Sequence, residues 1–574
     1  MSSRSRGRKF LTLLFVFLLV ASACGKKNDN NAKGGNNTIQ KGGGPAATSG
    51  DTLASLGSRK SGTQGGTLTL AGEQEPSGYN WLTSADNAAW TQYFMQNVWE
   101  GSVRVKPDGT IVRNDDIVSS IKLTKKDPLT IEYQINPSAS WSNGDPVSVD
   151  DFKFTWEAQR GDKTTQKDPQ TGEFIPKYDA VSTTGYEDIQ SVEGTGKTVT
   201  VTFKKIFADW RVLFDPLLNR KMFQAEGGGD EAKGFNDGFK NENVKPSAIW
   251  SNGPFMVSEI TPGQQTVLVR NPKYTGSRKA YLDKVTIRWI TDASQEPAAL
   301  KNGEVDVMYP QAQLDLVQQV KQISNAKYTL AFGTFWEHLD LNAKNQFLKD
   351  QKVRQAIFMA VDRPTLVNTI IKPFSSSAEQ LNNRIFFPGN PNYKDNSGMY
   401  NKPNVAGAKK MLTDAGYQPN QITLNLAFRQ PNPRRQQTVT LLQAQLAAIG
   451  IKVTITPKPD FTFLDNGDFD MALFGYTGGT VLSGNSSIYT RGSLQNYTNT
   501  GSAEIDRLIK QSNSELDPQK RADLWNQIDK LLWDQAGSLP MWQNPEIIAW
   551  NNKVKNVTFN GYQGFGWDMA DWSF

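Results

Sequence analysis

The chain has 574 residues, with 63 Lys and Arg against 57 Asp and Glu, one cysteine, one histidine and 15 tryptophans. Four of the basic residues, Arg4, Arg6, Arg8 and Lys9, crowd the first nine positions; without them 59 basic side chains face 57 acidic ones, and no Lys/Arg block of the kind that tracks a phosphate backbone occurs, which argues against a nucleic-acid partner. Cys24 alone cannot close an intramolecular disulfide, and with His338 as the only histidine no Cys/His cluster or H-E-x-x-H site can form, so no metal and no cofactor is expected.

In chain order, the basic start is followed by an apolar run from Phe10 to Val20 and by small Ala21-Ser22-Ala23, the order of a secretory signal peptide over residues 1–23. The apolar run is too short for a permanent span, which needs roughly 20 such residues. Ala21-Ser22-Ala23-Cys24 resembles a bacterial lipobox, which implies diacylglyceryl attachment at Cys24 and a protein anchored by lipid at the extracytoplasmic face of the cell membrane. Residues 24–66 are Gly, Asn, Lys, Ser and Thr with few large apolar side chains, a composition that reads as a flexible tether. About 508 residues follow, too many for one core, so two large lobes or three smaller ones are expected.

The body opens with a predicted strand, Gly66 to Gly72, and a helix around Asn87 to Trp99. Ser120 to Ile135 and Ile189 to Lys205 read as hairpins, each two alternating runs about a turn cluster. Ser148 with Asp151 three residues on heads a helix over Asp145 to Arg160, and Val353, Ala356, Ile357 and Ala360 mark another. Further helices are predicted within 406–417, 434–451 and 518–537, interleaved with strands within 421–428, 452–457 and 470–476. Strand and helix alternate, which is an α/β pattern.

Catalytic motifs do not survive their context. Gly196-Lys197-Thr198 ends like a phosphate-binding loop, but Ser191 stands where the first glycine belongs and a β-pattern, Val199 to Phe203, follows where a helix must start. No G-x-S-x-G elbow appears. Carboxylate pairs exist at Glu73/Glu75, Asp115/Asp116 and Asp150/Asp151, so a glycosidase stays open on inventory, but a helix first turn or solvated acids account for them. Tryptophans beside polar residues, Trp81, Trp210, Trp250, Trp336 and Trp542, fit either core packing or the flat walls of a ligand cleft.

Several ordered blocks resemble the bacterial extracellular solute-binding proteins of family 5: Trp141 to Ala158, Trp250 to Ile260, Val269 to Gly276, Ala299 to Met308, Leu339 to Val367, and Gly501 to Trp542. The resemblance implies a two-lobed, periplasmic-binding-protein-like α/β fold (type II, cluster C-like) with a discontinuous, enlarged lobe I and two crossover strands. On this chain lobe I would be 67–309 plus 541–574 and lobe II 310–540. It also implies a binding protein rather than an enzyme, a monomer that closes on a solute and delivers it to an ABC transporter permease. Candidate ligand contacts are Tyr79, Asn80 and Trp81, then Trp250, Ser251 and Asn252, and from lobe II Phe335, Trp336, Arg429, Gln430, Tyr476, Thr477 and Asn485, with Trp542 near the returning crossover. One departure stands out. Where the peptide binders carry an aspartate for the ligand's α-ammonium, this chain has Gly479, and no acid follows through Ser487. A buried ammonium without a counter-charge is expensive, so a blocked or cyclic peptide or another neutral solute is expected unless another acid substitutes, and a single histidine argues against nickel. A regulatory envelope lipoprotein on the same scaffold, controlling glycolipid or cell-wall synthesis, is the alternative.

Overall fold

The computed structural model describes residues 37–41, 51–167, 174–478 and 481–574; the leader, Cys24, most of the tether and Gly479 lie outside the described residues. A sheet of eleven strands forms the spine of the body. Its order is Phe255–Thr261, Gln265–Arg270, Lys284–Trp289, Thr67–Gly72, Val307–Met308, Ser538–Asn551, Ala326–Leu341, Met471–Thr477, Ile422–Arg429 and Ile451–Lys458, with Asn37–Lys41 parallel to residues 328–332 as the eleventh. Helices alternate with these strands, so the α/β pattern of the sequence is present as a mixed sheet: Thr67–Gly72 is parallel to both Lys284–Trp289 and Val307–Met308, while the long central pair is antiparallel.

That central pair organises everything else. Ala326–Leu341 and Ser538–Asn551 pair antiparallel over two stretches, and the register shifts between Phe332 and Trp336 and again between Glu337 and His338. On one side of the shift the pair borders Val307–Met308; on the other, Phe335–Leu341 pairs with Met471–Thr477. Separate apolar cores flank the break. One gathers Leu70, Trp99, Phe223, Ile287 and Trp572, all fully buried or nearly so, and another gathers Leu339, Ile357, Leu426, Leu473 and Met541.

Local chemistry accounts for the elements that position these cores. Ser148 donates its backbone N–H to Asp151 Oδ2 at 2.7 Å, which starts the helix Val149–Gln159, and the buried face of that helix carries Phe152, Thr155 and Trp156. Leu129–Ile135 alternates buried and less buried positions along its length, as a strand with one face on a core must. It belongs to a second, four-stranded antiparallel sheet with Val118–Lys126, Thr198–Phe203 and Ile189–Thr195. Gly196-Lys197 is the hairpin tip of that sheet: Gly196 has φ +61°, with open space where a Cβ would stand, and the chain re-enters a strand at Thr198. No helix N-terminus follows to hold a phosphate.

The helix expected from Asn87 to Trp99 is shorter, Ala89–Met95, because Asn97, Val98 and Trp99 turn away to meet residues 250–255. Residues 51–66, expected to be tether, are packed on the body instead. Leu53 is 1% exposed; its N–H donates to the Ile121 carbonyl and the Leu123 N–H donates to Asp51, so the segment covers one edge of the four-stranded sheet. Two leucines in an otherwise polar stretch suffice for this, since burying one leucine side chain stabilises by roughly 1.5–3 kcal/mol.

Candidate functional site

The parallel strands Thr67–Gly72, Lys284–Trp289 and Val307–Met308 finish at one edge, and in open α/β sheets ligands bind outside the carboxyl ends of such strands. This edge faces the break in the central pair. Glu73 follows the first strand, the helix Glu296–Asn302 begins after the second, and Tyr309 to Gln311 follow the third.

On the side of Met471–Thr477 the structure brings together several of the predicted residues. Phe335 lies opposite Thr477, Trp336 opposite Tyr476, and Trp542 opposite Glu337 on the other flank. Tyr476 stacks on His338 with centroids 4.6 Å apart and planes 18° apart, and Trp336 packs against the same imidazole at 4.7 Å. Gly475 is required here, because a Cβ would sit 2.5 Å from the Phe335 ring. Tyr476 is half-buried and donates its hydroxyl to the Gln495 carbonyl, and burial pushes its pKa far up. Trp542 is 1% exposed and donates Nε1–H to Asn544 Oδ1 at 3.1 Å; Asn544 in turn donates to Glu337.

Glu337, buried between Trp336 and His338, carries the local charge. Desolvation raises its pKa, but Arg435, donating at 2.6 and 3.3 Å, outweighs burial and holds the carboxyl below its ordinary range. His338 Nδ1 lies 2.8 Å from Asp340.

The other predicted residues are placed differently. Tyr79 is buried, its hydroxyl bonded with Thr266 and Asn241, and Asn80 donates to the Phe235 carbonyl. Trp81 stacks on Trp99 at 5.4 Å, and Trp99 donates Nε1–H to the carbonyl of half-buried Trp250. Ser251 Oγ lies within hydrogen-bond reach of the Phe255 and Val98 carbonyls, to either of which its one hydrogen can donate, and Asn252 clasps the backbone of Glu100 through both amide atoms. These polar atoms are therefore engaged in tying turns to the first core. Arg429 and Gln430 are exposed at the end of Ile422–Arg429, with the guanidinium of Arg429 5.3 Å from the Phe461 ring, and Asn485 donates to the Leu482 carbonyl.

Of the acids attributed to a helix first turn or to solvent, Asp151 does stand in the helix first turn, yet it and Asp116 are buried. Asp116 is 5% exposed and accepts from Tyr274, Ser277 and Arg278; Asp151 is 3% exposed, and burial pushes its pKa up to about 7. Glu73 is half-buried at the cleft edge and accepts from the Gln311 N–H at 3.0 Å, while Glu75 accepts from Asn241 and Gly263. On the first side, Trp90, Tyr93, Tyr309, Phe559 and Phe565 form an aromatic group with ring centroids 5.0 to 6.5 Å apart. Sequence reasoning missed this group, because its members are spread from residue 90 to 565 and share no periodicity.

One further contact ties the two sides. Asp209, beside Trp210 of the first core, accepts from Arg521 at 2.5 Å through both oxygens and from the Ser483 N–H at 2.8 Å, and the Ala208 N–H donates to the Asn513 carbonyl. Burial raises the Asp209 pKa and Arg521 reverses that, leaving it below the ordinary value.

Residues 116–499 match the model of the bacterial extracellular solute-binding proteins, family 5 Middle. The chain is similar to the oligopeptide-binding protein OppA of Mycobacterium tuberculosis, 31% identical over 520 residues that cover 87% of this chain and 83% of that one. It is also similar to the oligopeptide-binding protein AppA of Bacillus subtilis, 26% identical over 577 residues and 96% of each chain. Among solved structures, the periplasmic EDTA-binding protein EppA superposes with a TM-score of 0.83 at 28% identity, covering 91% of this chain and 99% of that one. The mixed α/β architecture is thus that of the cluster C periplasmic binding protein structures.

Proposed function

Because the chain belongs to the bacterial extracellular solute-binding proteins of family 5, a family of binding proteins and not of enzymes, we propose that it captures a peptide or peptide-like solute between two lobes and delivers it to the permease of an ABC importer. The observation that carries this reading is the pair of aromatic walls, Trp336 and Tyr476 on one side and Trp90, Tyr93 and Tyr309 on the other, set at the break in the two central strands. Flat apolar faces with a few oriented polar groups are what an enclosed organic ligand needs. On this reading the lobes divide along the breaks at 333–335 and 543–544 rather than at the 310 and 540 positions estimated from sequence. Phe335, Tyr476 and Thr477, which keep accessible surface, are then the ligand-facing residues of lobe II, with Trp336 behind Tyr476, and Asp209–Arg521 holds the closed form, which the permease recognises. The names of OppA and AppA, both oligopeptide-binding proteins, support a peptide class.

The finer parts of the reading rest on the sequence. Acylated Cys24 would anchor a monomer at the extracytoplasmic face; among the described residues no helix is long and apolar enough to cross a membrane. With Gly479 in place of the aspartate, a ligand ammonium finds no counter-charge at that position. Native mass spectrometry of the full-length chain, followed by a thermal-shift panel of free peptides, blocked peptides and oligosaccharides, tests the proposal. A co-purified peptide mass, or a peptide that stabilises by about 2.7 kcal/mol at one hundred times its Kd, supports capture. No ligand and no shift across the panel shifts the weight to the regulatory lipoprotein. Mass spectrometry of the membrane fraction reads the acylation of Cys24 directly.

A further inference from the structure

Among the described residues, one buried glutamate lacks both an ion-pair partner and any hydrogen-bond donor. Glu296 is 0% exposed, and neither of its carboxylate oxygens has a hydrogen-bond partner. A buried polar group left in that state is rare and calls for an explanation. Its surroundings supply one. Glu73, at the end of Thr67–Gly72, accepts from the Gln311 N–H at 3.0 Å; Gln311 is bridged to Glu546 on the strand Ser538–Asn551; and Glu546 accepts from the Tyr309 hydroxyl at 2.8 Å. Glu73 and Glu546 are each half-buried, and Glu546 Oε2, like both oxygens of Glu296, is buried without a partner; Glu296 is close enough for the charge of Glu73 to act on it. No lysine or arginine pairs with any of the three among the described residues. Arg434, which donates to the Ala312 carbonyl one residue beyond Gln311, faces Glu337 and Arg435 instead.

Tyr309 joins this acidic edge to the aromatic wall: its ring stands edge-on to Tyr93 at 5.8 Å and to Trp90 at 6.3 Å. Carboxylates beside aromatic rings are the two surfaces that attract an organic cation, one by charge and hydrogen bonding and the other by the ring quadrupole. A bare metal ion does not fit, since no group of three metal-ligating side chains occurs among the described residues.

We propose that the cleft carries a subsite for an organic cation of the ligand, an ammonium or guanidinium, formed by Glu73 and Glu546 with the Trp90, Tyr93 and Tyr309 rings and backed by Glu296. The subsite rests on the capture reading above and narrows it. It would supply the counter-charge for a ligand cation that the sequence lacks at Gly479. Without a cation these acids hold protons more readily than ordinary glutamates: burial pushes the pKa of Glu73 and of Glu546 up to about 7, and burial together with the charge of Glu73 pushes Glu296 up to about 9. Tyr93 and Tyr309 are also raised and stay neutral. A bound cation lowers these pKa values, so binding releases protons and strengthens as pH rises through about 7, the gain persisting to higher pH for a lysine or arginine side chain and fading above about pH 8 for a free N-terminus.

The test is calorimetry on the full-length chain with alanine-rich nonapeptides, acetylated and amidated, carrying one lysine, one arginine or one norleucine at each position in turn, and with the norleucine set repeated with a free N-terminus. The expected result is a cationic peptide that binds at least tenfold more tightly than its norleucine counterpart, with net proton release read from two buffers of different ionisation heat. If the free-amine set carries the advantage the cation is the peptide N-terminus, and if the acetylated lysine or arginine set carries it the cation is a side chain. Glu73→Gln and Glu546→Gln should each reduce the cationic-to-norleucine ratio to within threefold, whatever they do to absolute affinity, and thermal melts confirm that the variants fold. Equal binding of norleucine and cationic peptides at every position overturns the subsite alone, as does a ratio that survives both substitutions. Failure of every peptide to bind overturns the capture reading and the subsite with it.

Discussion

Glu337 and Glu296 are both glutamates removed from water, and they sit on opposite sides of the same strand break, yet their surroundings differ in one respect. Glu337 meets Arg435 and Asn544, as Asp529 meets Arg384 and Asp209 meets Arg521. Glu296 meets another carboxylate and no donor. In a low-dielectric interior an arginine with matched geometry keeps a carboxylate ionised, while burial without one raises its pKa until it holds a proton. The paired acids are part of the scaffold, complete in themselves. The unpaired ones leave interaction energy unspent at the edge of a cleft, which is where a ligand can supply the missing charge.

Removing a partner from the complete pairs should have the largest effect. Arg384→Met strands Asp529, with both side chains fully buried, and should destabilise by about 3–5 kcal/mol, read from the midpoint of urea unfolding; Arg435→Met should do the same at Glu337. If either variant unfolds at the wild-type midpoint, the distinction between the two classes of acid fails. Asp209→Asn comes next: it weakens a pair that joins the two sides, so ligand affinity should drop roughly tenfold, with a smaller loss of stability in the absence of ligand, by calorimetry and melting in parallel.

The unpaired group should respond in the opposite sense. A carboxylate whose folded pKa lies above its unfolded value contributes stability that is present below about pH 4.5 and lost as pH rises through the folded value, here about 9 for Glu296. The ligand-free protein should therefore lose stability between pH 5 and 9, and Glu296→Gln should flatten the profile, being about 1–2 kcal/mol more stable than wild type at pH 8 and equal to it at pH 5. A parallel pair of profiles would sink this account. The smallest effect is expected at Trp542→Phe, which removes one indole hydrogen bond to Asn544 and should cost about 1 kcal/mol in thermal unfolding while leaving Glu337 paired.

Much of this was legible before any coordinates. The hairpin that defeats the phosphate-loop motif, the Ser148–Asp151 start of a helix, and the strands and helices of the 406–537 region all follow from periodicity and end signals within a dozen residues. Trp336 and Tyr476, two of the candidate contacts, pack in one small cluster, while Trp542 joins the larger core on the other face of the strand. Tyr79, Asn80, Ser251 and Asn252 were singled out too, and the structure uses their polar atoms to hold turns in the first core. By sequence Glu73 fits a solvated acid, whereas Glu296, in a helix first turn, and Glu546, within a strand, carry no signal that marks them out.

The amino-acid sequence by itself determined the element types and the family resemblance, because each depends on residues that are neighbours in the chain. Only the tertiary structure decided which acids have partners. Arg435 reaches Glu337 across 98 positions, Arg384 reaches Asp529 across 145, and Arg521 reaches Asp209 across 312. Whether a carboxylate is paired or left waiting depends on what the fold places within about 4 Å of it, where charge interactions in a dry interior outweigh anything local propensity can encode.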